Sequence, residues 1–343
     1  MSPARRTRRR SNSRRKRKKQ SNTGRIVLCT FVEIIVIAAL VIMIGWDKGV
    51  GEWLLKFSQP VVKELDISGI QSPYAVLMQA NSGKVLGAER AEERIYPASM
   101  TKMMTAILAI EEIRDLNQEI TLTQDMFAGL YEQNATQAGF QPGETVRAID
   151  LIYGVLLPSG AECCIALADS ISGSEEAFVE LMNKKAAKIG MENTHFCDST
   201  GLHDPEHYST VLDMAVLLKY ALKNDTFREV IESPRHSTGV TNIHPDGITY
   251  YSTMFKNLPS ASVAGGEIKG GKTGYTSEAG LCLASFAEIE GREYILVTAG
   301  APGEAGTASH VQDAVTIYNR LGETVLFMEK SQNSENNKKQ PER

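Results

Sequence analysis

An almost unbroken apolar run of 20 residues, Ile26 to Gly45, divides this chain into a short basic arm and a long acidic body. At about 1.5 Å per helical residue it spans about 30 Å, the thickness of a bilayer's hydrocarbon core. Residues 1–25 hold 12 Lys and Arg and no acid. Alone, such an arm would suit nucleic acid. Directly ahead of a membrane-length run, it fits the rule that cations stay on the cytoplasmic side. The segments are therefore read as a basic cytoplasmic arm at 1–25, a transmembrane helix at 26–46 and an extracytoplasmic body, with no nucleic-acid partner. Trp46 and Trp53, the only 2 tryptophans, fit the outer interface. A cleaved signal peptide is the alternative, but its apolar core usually runs about 7 to 15 residues, and no small-x-small site ends this run cleanly. Glu33 costs on the order of 3 kcal/mol if ionised at the bilayer centre, so it is expected to be protonated or paired with another anchor.

At 343 residues the chain holds one large domain or two small ones. Without the arm and Glu33, the remainder carries 25 basic against 40 acidic residues. Cys29 lies in the apolar run. Adjacent Cys163 and Cys164 suit small buried hydrophobes better than a disulfide. Cys197 and Cys282 could pair outside the cell, which spacing alone does not show; free buried thiols are the favoured reading.

Residues 47–71 read as a linker, either stalk or packed lead-in, and 72–328 as the folded domain. Tyr74–Gln79 and Lys84–Ala88 flank an Asn81-Ser82-Gly83 turn, which makes a hairpin. Helical periodicity then dominates to about residue 220, over Thr101–Ile113, Ala148–Leu157, Glu162–Ser170, Glu175–Ile189 and Val211–Leu222. Strand signals resume at 248–252, 267–273, 280–287 and 293–298, and a last amphipathic helix covers 308–321. The fold class is α+β: an antiparallel sheet built from both ends of the domain and flanked by helices, with an all-helical insertion between its halves. The polar tail, 329–343, is expected to be disordered.

The chemistry concentrates in three short motifs. Ser99-Met100-Thr101-Lys102 follows Pro97 at the head of an apolar helix, where a missing N–H costs little. Residues i and i+3 are neighbours on a helix, so the Lys102 amine reaches the Ser99 hydroxyl. A neutral lysine in a desolvated site can take a serine's proton and make it a nucleophile. Ser159-Gly160 ends the stretch Leu151 to Leu157, just before a helix. Lys272-Thr273-Gly274 opens onto a strongly β-like run from Gly280. Each motif alone has a bland counterpart, respectively a helix cap, a turn residue after Pro158 and a turn between strands. His203, His207 and Asp204 invite a metal reading, but Pro205 breaks the helix that would align them and no His-Glu-x-x-His occurs. No metal and no cofactor are expected.

The order Ser-x-x-Lys, Ser-Gly-x, Lys-Thr-Gly resembles the penicillin-recognising serine acyltransferases and β-lactamases. The segments Met191 to Phe196, Gly201 to Pro205, and His207 to Thr210 with Asp213-Met214-Ala215 resemble the serine D-alanyl-D-alanine carboxypeptidases specifically. The likeness covers about Ser72 to Leu326. It implies the β-lactamase/transpeptidase-like architecture and a low-molecular-mass penicillin-binding protein that removes the terminal D-alanine from peptidoglycan stem peptides, with β-lactams as covalent inhibitors.

The resemblance makes Ser99 the nucleophile, Lys102 its base and Ser159 the proton relay to the leaving amine. Lys272 and Thr273 would hold the substrate carboxylate, and Gly274 would let the substrate backbone lie on the strand edge. The N–H of Tyr275 would join that of Ser99 as oxyanion donor. Some relatives carry a second, β-rich domain and a C-terminal anchor; this chain is expected to lack both and to be held by its N-terminal helix. One departure stands out. The family usually has Ser-x-Asn where this chain has Ser159-Gly160-Ala161, which removes a partner of the catalytic lysine; Glu162, about 100° further around the helix, cannot stand in for it. A β-lactamase of the same fold is the first rival, but no Glu-x-x-Leu-Asn-like loop lies between Ser159 and Lys272. A non-catalytic wall-binding relative is the second, motivated by Ala161.

Overall fold

The computed structural model describes residues 62–338. The basic arm, the apolar run, most of the linker and the end of the tail lie outside the described residues. Among the described residues, no helix is long and apolar enough to cross a membrane.

In chain order the elements are β1 (Tyr74–Gln79), β2 (Val85–Glu89), α1 (Lys102–Glu112), β3 (Glu119–Thr121), β4 (Thr145–Arg147), α2 (Ala148–Leu156), α3 (Ala161–Ser172) and α4 (Glu175–Ile189). There follow α5 (Val211–Ala221), α6 (Asp225–Glu232), β5 (Arg235–Ser237), β6 (Thr249–Tyr251), α7 (Thr253–Asn257), β7 (Ser262–Val263), β8 (Gly266–Thr276), β9 (Gly280–Ile289), β10 (Arg292–Ala301) and α8 (Ser309–Lys338). A six-stranded sheet runs β2-β1-β10-β9-β8-β7. Its pairs are antiparallel throughout, so strands from the two ends of the domain meet at β1 and β10, where Tyr74 faces Ala299.

Both faces of this sheet are buried, which is why its central strands read as continuous apolar runs. Val76, Met78, Ala284, Phe286, Ile295 and Val297 face the helical insertion. The alternate residues Leu77, Leu283, Ala287 and Leu296 face α8 and its Val311, Ile317, Tyr318 and Leu321. Helix α1 sits at the centre of the insertion, and Lys102 through Ala109 are all buried. A helix apolar all round belongs in a core; here it brings its N-terminus, and the lysine on it, into the protein.

Two features differ from expectation, and a third bears on the two readings of the linker. The insertion is not wholly helical, because β3 and β4 form a two-stranded ribbon with Ile120 opposite Val146. At three residues each, these strands are too short to show an alternation. Helix α8 continues past Leu321 to Lys338, into the segment read as tail. Its apolar stripe is extended by Val325 and Met328, and Gly322 lets it press on β7's neighbour Ala264, whose carbonyl oxygen would lie 1.7 Å from a Cβ there. The packed body also reaches back to Val62 in the linker: Val62, Leu65 and Ile67 are buried in the cluster that includes α8, with Leu65 N–H donating to the Leu86 carbonyl of β2. The Asp313 carboxylate accepts from the Gln71 and Ser72 amides and the Ser72 hydroxyl.

Candidate active site

Ser99 lies on a single 3-10 turn, Ala98–Thr101, that leads directly into α1. The tighter turn eclipses residues i and i+3, and the Lys102 Nζ lies within hydrogen-bond reach of the Ser99 Oγ, at 3.2 Å. The turn is held under strain. Ala98 sits at φ +47, in the left-handed region that non-glycine residues avoid. Gly201 packs on it so tightly that a Cβ would come within 1.9 Å of the Ala98 carbonyl oxygen.

Lys102 is anchored from behind, since it also donates to the Thr200 carbonyl at 2.6 Å. Asp198 fixes that carbonyl by accepting from the Thr200 amide and hydroxyl and from the Gly201 amide, at 2.6, 2.7 and 2.6 Å. Burial opposes the Asp198 charge, but the His207 hydrogen bond and charge outweigh it and hold the carboxyl at about 2. His207 lies 3.0 Å from Asp198 and 2.8 Å from the Thr101 hydroxyl. The histidine that invited a metal reading thus ties the loop behind Lys102 to the nucleophile's turn.

The second hydroxyl, Ser159, stands on the turn between α2 and α3 at φ +74, another strained position. The turn is pinned by Gly160 N–H to the Gly154 carbonyl and Ala161 N–H to the Thr136 carbonyl, both 2.8 Å. The Lys272 ammonium, on β8, donates to the Ser159 hydroxyl at 3.0 Å and to the Thr273 carbonyl at 2.8 Å. Lys272 is fully buried. Burial first, and then the charge of Lys102, push its ammonium well below the ordinary lysine range. Lys272, the residue expected to meet the substrate carboxylate, thus has two acceptors within the protein, the Ser159 hydroxyl and the Thr273 carbonyl. The half-exposed group at this point of the strand is the Thr273 hydroxyl, 2.6 Å from that of Thr253 at the start of α7.

Gly274 explains how strand and nucleophile come so close. A Cβ there would lie 3.1 Å from the Ser99 amide nitrogen, the Pro97 carbonyl oxygen and the Ala98 Cβ. Backbone touches backbone, and Tyr275 is the next residue along. The outer edge of β8 is open here, because β7 pairs only with Gly266 and Glu267.

Glu162 does not replace the missing asparagine. Its carboxylate turns away to accept from the Ala138 and Gly139 amides at 2.6 and 2.9 Å. Burial raises its pKa against those bonds, and its second oxygen is buried without a partner. Cys163 and Cys164 are buried and free. Burial pushes the Cys164 thiol up to about 12, so it packs as a hydrophobe. Cys197 and Cys282 are free as well.

Sequence reasoning therefore located Ser99, Lys102, Ser159 and the 272–275 strand, and the fold brings them together. It missed the Thr200 carbonyl, Asp198 and Thr253. Only Asp198 left a trace, an aspartate before Ser-Thr-Gly, which is the composition of an Asx turn.

A family model for D-alanyl-D-alanine carboxypeptidase matches residues 60–303. The D-alanyl-D-alanine carboxypeptidase DacF of Bacillus subtilis is 33% identical over 227 residues, covering 66% of this chain and 57% of the relative. DacC of Escherichia coli is 32% identical over 256 residues, covering 73% and 62%. The chain thus spans about three fifths of the length of these relatives. Among solved structures, the Streptomyces K15 DD-transpeptidase superposes with a TM-score of 0.67 at 27% identity, covering 75% of this chain and 98% of that one.

Proposed function

The chain belongs to the D-alanyl-D-alanine carboxypeptidase family, and from that premise we propose that it removes the terminal D-alanine from peptidoglycan stem peptides. The Ser99 oxygen attacks the carbonyl between the two D-alanines while Lys102, acting as the neutral amine, takes its proton. Charge developing on the carbonyl oxygen is met by the N–H groups of Ser99 and Tyr275. Ser159, oriented by Lys272, relays a proton to the leaving amine, the C–N bond breaks, and the peptide remains as an ester on Ser99. The substrate carboxylate is taken by the Thr273 hydroxyl, with the Lys272 charge one residue behind it. Water then attacks the ester, its proton goes to Lys102 and on to the Ser99 oxygen, and the acyl C–O bond breaks to release Ser99 and the shortened peptide acid. β-Lactams present a strained amide to the same serine and are held as the acyl-enzyme. No cofactor enters these steps.

The observation that carries this reading is the pair of hydroxyl–ammonium contacts, Ser99 with Lys102 and Ser159 with Lys272, meeting at one open strand edge. Its test is Ser99→Ala. The variant is expected to fold, to release no D-alanine and to take no label from a fluorescent penicillin; a variant that still labels would overturn the assignment.

The reading includes a location. The domain is held at the outer face of the cell membrane by residues 26–46, with the basic arm inside, an orientation supported by the 12 cations that precede the apolar run. In intact cells, a thiol probe confined to the outside is expected to reach a cysteine engineered within 331–343 and not one within 1–20. The reverse labelling would invert the topology.

A further inference from the structure

The open edge of β8 has a direction, and beyond Tyr275 it leads to a cavity that none of the chemistry above uses. This inference rests on the proposed carboxypeptidase reading. A peptide laid along that edge, with its carboxylate at Thr273 and its reacting carbonyl between Ser99 and Tyr275, runs its upstream residues past Thr276 toward the turn at 277–279. At about 3.3 Å per residue, the residue two places before the C-terminus sits about 7 Å from the carboxylate end, level with Tyr275 and Thr276. That is the third residue of a stem peptide.

There the structure holds a cavity of about 460 Å³ whose walls include Tyr96, Tyr275, Ser277 and Glu278. Glu278 brings a carboxylate to it, and among the described residues no lysine or arginine forms an ion pair with that carboxylate. Among the described residues, the side chain that pairs with it is His203, whose ring nitrogen lies at 4.0 Å, on a ring that itself meets Tyr96 edge-on at 4.7 Å between centroids. The cation lining the same cavity, Arg94, is engaged elsewhere: its guanidinium lies over the Tyr208 ring at 3.8 Å and donates to the Pro205 carbonyl.

We propose that Glu278 and this cavity form a subsite for the third stem residue, and that the group it takes is a free ammonium at the end of that residue's side chain. A long aliphatic stem passes the Tyr275 and Tyr96 rings while its cationic head reaches the carboxylate, the arrangement by which lysine-like chains bury their methylenes and keep the charge wet. L-Lysine and meso-diaminopimelate both present such a head.

The test is D-alanine release by the full chain in detergent from acetylated X-D-Ala-D-Ala peptides, where X is L-lysine, meso-diaminopimelate or the uncharged isostere norleucine. Because Glu278 is partly exposed, the charged peptides are expected to exceed norleucine by about twofold to fivefold in kcat/KM, the range of exposed ion pairs. Glu278→Gln should erase the preference, Glu278→Lys should reverse it, and Ser99 acylation by benzylpenicillin should stay unchanged in both. If only one charged peptide loses its advantage in Glu278→Gln, that peptide identifies the diamino acid. Equal rates on charged and uncharged peptides in the wild type, or a preference that survives in Glu278→Gln, would overturn the subsite while leaving the carboxypeptidase reading intact. Release from no peptide at all would instead remove that reading, and the subsite with it.

Discussion

The buried Lys272 ammonium lies 3.0 Å from the Ser159 hydroxyl across 113 residues of sequence. Lysine and serine thus form one unit: the ammonium fixes the hydroxyl's orientation, and the hydroxyl carries the proton. Lys272→Met and Ser159→Ala are each expected to slow acylation by penicillin about a hundredfold, the upper end of what one charged hydrogen bond supplies. The double variant should be no slower than the worse single one, since groups that act together are not additive. Losses that multiply in the double variant would show that Lys272 acts on the substrate directly and independently of Ser159.

Gly274 and Ser99 set a second constraint, because a methyl group at 274 has to displace the turn that carries the nucleophile by a few tenths of an ångström. Catalysis is more sensitive to such a displacement than folding is, since about 1 Å of misplacement is worth roughly a hundredfold in rate. Gly274→Ala is therefore expected to slow acylation about tenfold while shifting the unfolding midpoint little. An unchanged acylation rate would mean that the contact between strand and turn is looser than its geometry.

The parts of the fold that were legible in the sequence are those whose signal is local. Helix α4 was bounded correctly because Ser174 caps its start and left-handed Gly190 its end. The strands β1, β9 and β10 were found because a sheet covered on both faces leaves a solid apolar run. The Ser99–Lys102 contact was readable from three residues of spacing. By contrast, the Thr200 carbonyl behind Lys102 comes from a loop 98 residues away, and no pattern near Thr200 announces it. The role of Ser159 rested on resemblance alone, since its partner Lys272 is fixed by tertiary packing. The length of α8 was missed for a different reason: beyond Leu321 only Val325 and Met328 join the core, Phe327 is exposed, and from Glu329 on the sequence is polar.

His310, in the first turn of α8, is buried with its Nδ1 unpaired. Burial pushes its imidazole down to about 4, against the opposing charge of Asp313. The unfolded imidazole titrates near 6.5. Between these values the unfolded chain binds more protons than the folded one, so this group's share of stability is complete above pH 6.5 and is lost as pH falls toward 4. The loss is of order 3 kcal/mol. The wild type should therefore lose stability relative to His310→Leu, by about that amount, as pH falls from 6.5 to 4. Curves that fall in parallel would show that another group sets the acid limb.

Ala161 is the one place where the site departs from its family's pattern, and the structure shows what surrounds the missing amide. Ala161 is buried at the first turn of α3, its amide committed to the Thr136 carbonyl. Glu162 is turned to the 138–139 backbone. The Cys164 thiol donates to the Gly160 carbonyl at 3.3 Å and so stays behind the turn. Lys102 is left with Ser99 and the Thr200 carbonyl as its hydrogen-bond partners, one short of what an ammonium can donate. Ala161→Asn should supply the third. A hydrogen bond to a charged group is worth roughly 1.5–3 kcal/mol, and part of that appearing in the transition state gives a gain of up to about tenfold in acylation by β-lactams, measurable by stopped flow. A slower variant would show that the turn has closed around alanine and is overpacked by the larger side chain. An unchanged rate would mean that Lys102 is already held well enough by the Thr200 carbonyl, and that in this chain the Asp198–His207 clamp has taken over the asparagine's task.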